Sequence, residues 1–173
     1  MVIVLMGYMG SGKSTIGRHL ASILNYDFID LDDYIEAKEE QSITSIFQSK
    51  GEIYFRKLET KYLQELLSSE DNVVLALGGG TPCYSNNMEL ILTTNNAKSI
   101  YLKLSIAALV ERLKSEKQNR PLISHLNSDE ALLEFIGKHL FERSQYYSQS
   151  NYTINTEGKS IKDITELILM HLI

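Results

Sequence analysis

The sequence holds one cysteine, Cys83, two prolines, Pro82 and Pro121, and no tryptophan. A single thiol rules out an intrachain disulfide and a multi-cysteine metal cluster, so Cys83 reads as a buried or inert thiol. Long apolar runs are missing too. Val2–Met6 and Val73–Leu77 fall far short of the roughly 20 residues that cross a bilayer. The N-terminus shows no basic region followed by an apolar stretch and cleavage site, which makes the cytoplasm the expected location. Positive charge is scarce: 17 Lys and Arg stand against 22 Asp and Glu, for a net charge of -5. Displacing counterions from a polynucleotide needs clustered positive charge, so nucleic acid is not an expected partner. His19, His125, His139 and His171 lie far apart without ligand spacing and are assigned to no metal. No basic run accompanies the ten tyrosines, so they read as core and edge residues rather than a stacking platform. Internal repeats, proline-rich linkers and low-complexity tracts are absent.

What is present is an ordinary globular composition, 43% hydrophobic and 23% charged over 173 residues. That length suits one domain burying about 70% of its unfolded surface. Val2–Met6 has the apolar character of a strand, and Ile16, Leu20, Ile23 and Leu24 have the spacing of one helix face. Further strands are expected at Phe28–Leu31, Val73–Leu77, Ser99–Leu104 and Tyr152–Asn155, each followed by helical periodicity. The alternation predicts an α/β fold, a three-layer sandwich with a five-stranded parallel sheet. Two stretches exceed the minimal alternation, a helical region from about Tyr34 to Ser69 and a polar segment from Ser115 to Ser128. Both would emerge at the carboxyl ends of the strands, where ligands of open α/β sheets bind.

Gly7-Tyr-Met-Gly-Ser-Gly-Lys-Ser14 matches G-x-x-x-x-G-K-[ST] between a predicted strand and a predicted helix, the context that makes it a phosphate-binding P-loop. Glycines at 7, 10 and 12 let backbone N–H groups turn inward as an anion nest, beside the positive end of the following helix. Gly10, Ser11, Gly12, Lys13, Ser14 and Thr15 are the candidate ATP-binding segment, with Lys13 on the β- and γ-phosphates and the Ser14 hydroxyl on Mg²⁺. The motif alone does not separate a kinase from a nucleotide-switched GTPase or a mechanical ATPase. In Phe28-Ile-Asp-Leu-Asp-Asp33, strand alternation would point Asp30 and Asp32 to one side, facing the loop. One carboxylate can hold Mg²⁺ through its waters and the other can accept a proton or hydrogen bond from an attacking hydroxyl. Asp33 is off that register and is expected to cap a helix, with Glu36 completing a capping box.

The run Gly7 to Arg18 followed by Asp30-Leu-Asp32 resembles the opening of the shikimate kinases, and later motifs continue the likeness over nearly the whole chain. The resemblance implies a nucleoside-monophosphate-kinase-like P-loop fold. It also implies phosphorylation of the 3-hydroxyl of shikimate with Mg·ATP, in chorismate and aromatic amino-acid biosynthesis. It further implies one kinase domain over 1–173, with a helical substrate-binding insertion at about 33–61 and a mobile lid at about 114–128. Phe55-Arg-Lys-Leu-Glu59, within a helix expected from Gly51 to Ser69, is similar to the family's F-R-x-x-E, which makes Arg56 a candidate for the substrate carboxylate. A planar guanidinium suits that task, although a surface pair with Glu52 one turn earlier is the plain alternative. Gly78, Gly79 and Gly80 resemble the triplet lining the shikimate site, where glycines permit close backbone approach. Arg120-Pro-Leu122 resembles the lid motif, with Arg120 over the γ-phosphate. Arg112 matches a position near the adenine, with a solvated helix face as its alternative. Glu142-Arg-Ser-Gln-Tyr146 resembles E-R-x-x-x-Y, which makes Arg143 the second arginine of the clamp. The chain departs from the family at Asn155–Ser160, which weakens any residue-level reading of adenine recognition.

The expected catalytic residues are therefore Lys13, Asp32 and Arg120. Ser14 and Asp30 are expected at the metal. Asp32, Arg56, Gly78, Gly79, Gly80 and Arg143 are expected at the substrate. A kinase of similar fold acting on gluconate or a nucleoside monophosphate is the runner-up, and a non-catalytic nucleotide-binding module is a rival of another class. The absence of an obvious apolar surface stripe gives the expectation of a monomer.

Overall fold

A computed structural model describes residues 1–69 and 71–172. Five parallel strands, β1 (Val2–Met6), β2 (Asp27–Asp30), β3 (Val73–Ala76), β4 (Ala97–Lys103) and β5 (Tyr152–Asn155), form one sheet in the order β2-β3-β1-β4-β5. The helices between and after them are α1 (Lys13–Leu24), α2 (Leu31–Glu39), α3 (Ile43–Leu67), α4 (Asn87–Thr93), α5 (Ile106–Lys114), α6 (Asp129–Tyr147) and α7 (Ile161–Leu172). The expected fold class and all five expected strands are present, with ends displaced by one or two residues at β2, β3 and β4.

The central strand explains the layering. β1 is wholly buried, and its side chains alternate between two cores as the pleat requires. Val2, Val4 and Met6 join Leu63 of α3, Leu113 of α5 and Leu132 and Ile136 of α6. Ile3 and Leu5 meet Ile16 and Leu20 of α1 and Ile164 and Ile168 of α7 on the other face. In register, Leu5 and Asp30 both pair with Ala76. The loop after β1, the end of β2 and the glycines after β3 therefore emerge side by side at the carboxyl end of the sheet, two strand spacings or about 10 Å across.

Three local expectations are corrected. β2 ends at Asp30, and Asp32 lies in the first turn of α2 rather than on a strand, so alternation is not what brings the two carboxylates together. Asp30 itself caps α2, its side chain accepting from the Asp32 N–H. Asp33 is an exposed first-turn residue, and Glu36 Oε1 accepts from the Ile43 N–H at 2.8 Å instead of closing a capping box. The helix expected from Gly51 starts eight residues earlier, at Ile43, capped by Ser42, and breaks at Gly51, where φ is 81° and ψ is 173°. A Cβ at Gly51 would meet nothing within 4 Å, so that glycine answers to conformation and not to space. Among the described residues no helix is long and apolar enough to cross a membrane.

Candidate active site

The phosphate loop turns from β1 into α1 through Gly12, whose φ of 92° is the left-handed conformation glycine adopts without strain. Lys13 Nζ donates to the carbonyls of Gly7 at 2.8 Å and Tyr8 at 3.1 Å. Burial draws its ammonium down to about 8, opposed by the nearby Asp32 and Asp30 carboxylates. The Ser14 hydroxyl donates to Asp30 Oδ2 at 2.7 Å, and Asp30 Oδ1 accepts from the Asp32 N–H at 3.1 Å. Ser11 is buried within the loop and Thr15 is exposed on the first turn of α1. Asp32 is pushed up to about 7, first by burial and then by the neighbouring Asp30 and Glu59, with Lys13 pulling the other way. A carboxyl poised near neutrality is suited to accepting a proton. Arg112 is exposed on α5, its Nη1 donating to the Gly10 carbonyl at 3.1 Å, which sets it against the outside of the loop.

A second pocket opens beside this one, lined by Phe55, Arg56, the three glycines, Leu122 and Arg143. Asp32, Arg120, Gly78 and Gly79 line both pockets and mark their junction. Arg56 is fixed from several sides. Its Nη1 donates to Glu59 Oε2 at 2.6 Å, Glu52 lies at 3.4 Å, and the guanidinium lies 3.8 Å from the centre of the Tyr84 ring. The surface pair with Glu52 exists, but as the longer of two contacts. Glu59 is 1% exposed and also accepts from Thr81 Oγ1 at 2.6 Å. Glu59 stands inside the F-R-x-x-E segment but had no expected task. Its signal was the three-residue offset from Arg56, which places both on one helix face. Tyr84 had no signal in the sequence.

None of the three glycines of the triplet has a positive φ, and each leaves little room for a Cβ. A Cβ at Gly78 would come within 3.1 Å of Asp32 Oδ1, one at Gly79 within 3.1 Å of Arg143 Nη1, and one at Gly80 within 3.0 Å of Arg56 Nη1. Each glycine thus lies close against a predicted substrate side chain, Gly78 also against Thr81 Oγ1 at 3.0 Å. Arg143 is 9% exposed, on α6, and the Tyr147 hydroxyl one turn later donates to the Gly79 carbonyl at 2.5 Å.

The segment after α5 contains a short 3-10 turn, Lys117–Asn119, and then Arg120. Arg120 Nε and Nη2 donate to Glu116 Oε2 at 2.7 and 2.5 Å while the residue lines the pocket junction. The Asn155–Ser160 stretch is tied to itself and to α7, with Asn155 Oδ1 accepting from the Glu157 N–H and the Ser160 hydroxyl donating to Asp163 Oδ2. Cys83 is half-buried beside the arginine pocket, and burial pushes its thiol up to about 11, which keeps it protonated. Among the described residues no group of three or more His, Cys, Asp or Glu side chains is arranged to hold a metal unaided.

Comparison with known proteins points one way. The family model described as shikimate kinase matches residues 9–172. A shikimate kinase from Flavobacterium johnsoniae is 47% identical over 167 residues, covering 96% of each chain. The crystal structure of shikimate kinase from Bacteroides thetaiotaomicron superposes with a TM-score of 0.90 at 36% identity, covering 99% of this chain and 98% of that one. Shikimate kinase from Acinetobacter baumannii in complex with shikimate superposes with a TM-score of 0.84 at 35% identity, covering 99% and 92%. With the phosphate loop, the paired aspartates and the arginine-lined pocket on one continuous frame, and with likeness extending over nearly its full length, this chain belongs to the shikimate kinase family.

Proposed function

We propose that the protein transfers the γ-phosphoryl group of ATP to the 3-hydroxyl of shikimate, giving shikimate 3-phosphate and ADP. The observation that carries this reading is the junction of the two pockets. A phosphate-binding loop and a pocket carrying two arginines open onto each other at Asp32 and Arg120. Two arginine forks flanked by glycines suit a small carboxylate, which is the feature shikimate offers and a neutral polyol lacks.

The residues divide the work. Backbone N–H groups of Gly10 to Thr15 take the β- and γ-phosphates together with the ammonium of Lys13, which keeps the Tyr8 carbonyl and offers its remaining donors to the phosphate oxygens. The Ser14 hydroxyl and Asp30 carboxylate, 2.7 Å apart beside Asp32, are the oxygen donors that would hold Mg²⁺, a cation that favours oxygen ligands. Mg²⁺ supplies neutralisation of the charge on the transferring group. Arg56 and Arg143 hold the substrate carboxylate and turn the 3-hydroxyl toward Asp32, which orients it and takes its proton. As the new O–P bond forms, the bond from the γ-phosphorus to the β–γ bridging oxygen breaks and ADP leaves. Positioning and charge stabilisation do most of this, without a covalent enzyme intermediate. The segment at about 114–128 acts as a mobile lid that brings Arg120 over the γ-phosphate and excludes water, opposite the helical insertion at about 33–61. Arg112 flanks the adenine side.

The direct test is a coupled ADP-release assay with Mg·ATP and, in parallel, shikimate, gluconate, AMP and no acceptor. Release with shikimate alone supports the reading. Turnover with gluconate instead keeps the arginine pocket for a carboxylate but changes the acceptor, turnover with AMP reassigns the pocket, and nucleotide binding with no turnover at all favours a regulatory module. Within the same assay, Arg120→Ala is expected to lower kcat about 10²-fold, the usual scale for removing one donor from developing charge. A kcat within threefold of the original would take Arg120 out of the transition state.

A further inference from the structure

One side of α6 carries Phe135, His139, Arg143 and Tyr147 at four-residue steps, the spacing that stacks side chains along a helix. Arg143 and Tyr147 serve the arginine pocket through Gly79. His139 serves something else. Its Nδ1 lies 2.9 Å from the Tyr8 hydroxyl, with the rings perpendicular at 89° and centroids 5.5 Å apart. Tyr8 is the second residue of the phosphate loop and is 1% exposed, far more buried than a loop residue with only its backbone in use. Its main-chain carbonyl accepts from Lys13, and the Arg143 guanidinium stands 5.8 Å from the centre of its ring. Behind His139, Phe135 packs against the imidazole at 5.3 Å, and His125 of the segment after α5 packs edge-on against Phe135 at 6.5 Å.

The pair is neutral by construction. Burial pushes the Tyr8 phenol up to about 12, and burial followed by the adjacent Arg143 holds the imidazole below its ordinary range, Glu142 opposing. A neutral hydrogen bond satisfies the buried hydroxyl without adding positive charge beside Arg143. Because the loop follows β1 and His139 stands on α6, 131 residues away in the chain, this bond is a cross-tie between two elements that carry different pockets.

We propose that His139 is a positioning residue for phosphoryl transfer: by holding the Tyr8 hydroxyl it fixes the opening turn of the phosphate loop, and Lys13 with it, at a set spacing from Arg143. The inference rests on the functional reading above, in which Lys13 and Arg143 hold the two reactants. Transfer needs the attacking oxygen within a few tenths of an ångström of its place, and a displacement of about 1 Å is enough to cost about 10²-fold. A side chain that sets the distance between the two binding groups therefore acts on kcat without touching either substrate.

The test uses the full chain with four variants, Tyr8→Phe, His139→Leu, the double variant and His139→Asn. The amide of His139→Asn can occupy the position of Nδ1. Wild-type turnover of the acceptor panel is measured first and judges the functional reading by itself; ratios of variant to wild type on the preferred acceptor judge the inference. Tyr8→Phe and His139→Leu are each expected to lower kcat about tenfold, the scale of leaving a buried hydrogen-bonding group unpaired. The double variant is expected to be no slower than the worse single one, and His139→Asn to return to within threefold of wild type. Losses that multiply in the double variant, or a lowered Tm with kcat and both KM values unchanged, would overturn the proposal. If His139→Leu does not fold, Tyr8→Phe decides it with ¹⁵N-histidine NMR. A His139 tautomer that is fixed in wild type and altered in Tyr8→Phe, together with lowered kcat, supports the tie; unchanged kcat overturns it.

Discussion

Asp32→Asn is expected to lower kcat by about 10²–10⁴-fold, the range of a lost general base, and at the same time to make the metal-free protein more stable above neutral pH. The two effects have one cause. Asp32 is pushed up to about 7 by burial and by Asp30 and Glu59, against about 3.9 for an unfolded carboxyl. The folded state therefore holds its proton more tightly than the unfolded chain does. Between about pH 4 and pH 7 the folded state binds the extra proton, so stability falls as pH rises and stays low above pH 7, where Asp32 is charged in both states. An asparagine keeps the shape and removes that fall. In EDTA and without nucleotide, Asp32→Asn should gain on the order of 1–3 kcal/mol at pH 8, several degrees of Tm, with the difference vanishing near pH 4. Thermal denaturation at pH 4, 6 and 8 checks it. A variant that loses stability at pH 8 would mean that the surrounding groups hold the ionised carboxylate and not the neutral one.

Arg56→Lys is expected to lower kcat/KM for shikimate at least tenfold and up to about 10³-fold, since impairing one partner of a desolvated, hydrogen-bonded charge pair costs about 2–5 kcal/mol. The substitution keeps the charge and loses everything else the site uses. Lysine has no planar guanidinium to set 3.8 Å from the centre of the Tyr84 ring, nor can it bond Glu59 while offering a second donor pair to the pocket. Glu59, 1% exposed, would keep Thr81 and lose the fork that compensates its charge, so Tm should fall as well. Steady-state kinetics over a shikimate series, beside a melting curve, separates the two losses. A kcat/KM near that of the original protein would remove Arg56 from the substrate pocket.

The parts of this site that were legible in the sequence are those whose chemistry depends on neighbours along the chain. A phosphate loop is a local object: its glycines, lysine and serine act through consecutive backbone groups, so Gly7–Ser14 could be read with no partner in view. The helix carrying Arg56 and Glu59 was legible in outline for the same reason. The end of β2 misled, because alternation and helix capping compete for the same short stretch. Asp30 satisfies the first turn of α2 by turning back on Asp32 N–H, a choice that depends on where the strand stops pairing with β3.

Residue types, spacing and family likeness determined the fold class, the loop and the roster of arginines and aspartates. Tertiary structure alone decided which of them meet. Gly78, Gly79 and Gly80 show why: side chains from other elements, Asp32, Arg143 and Arg56, stand 3.0 to 3.1 Å from where a Cβ would be, so a side chain there would crowd them. The burial that shifts Asp32, the seat of Arg56 on Tyr84 and the bond from Tyr8 to His139, 131 residues apart, arise from the packing of α2, α3 and α6 around the carboxyl end of the sheet. Packing of that kind depends on distances in space between segments far apart in the chain, and sequence spacing encodes distance only within a single element.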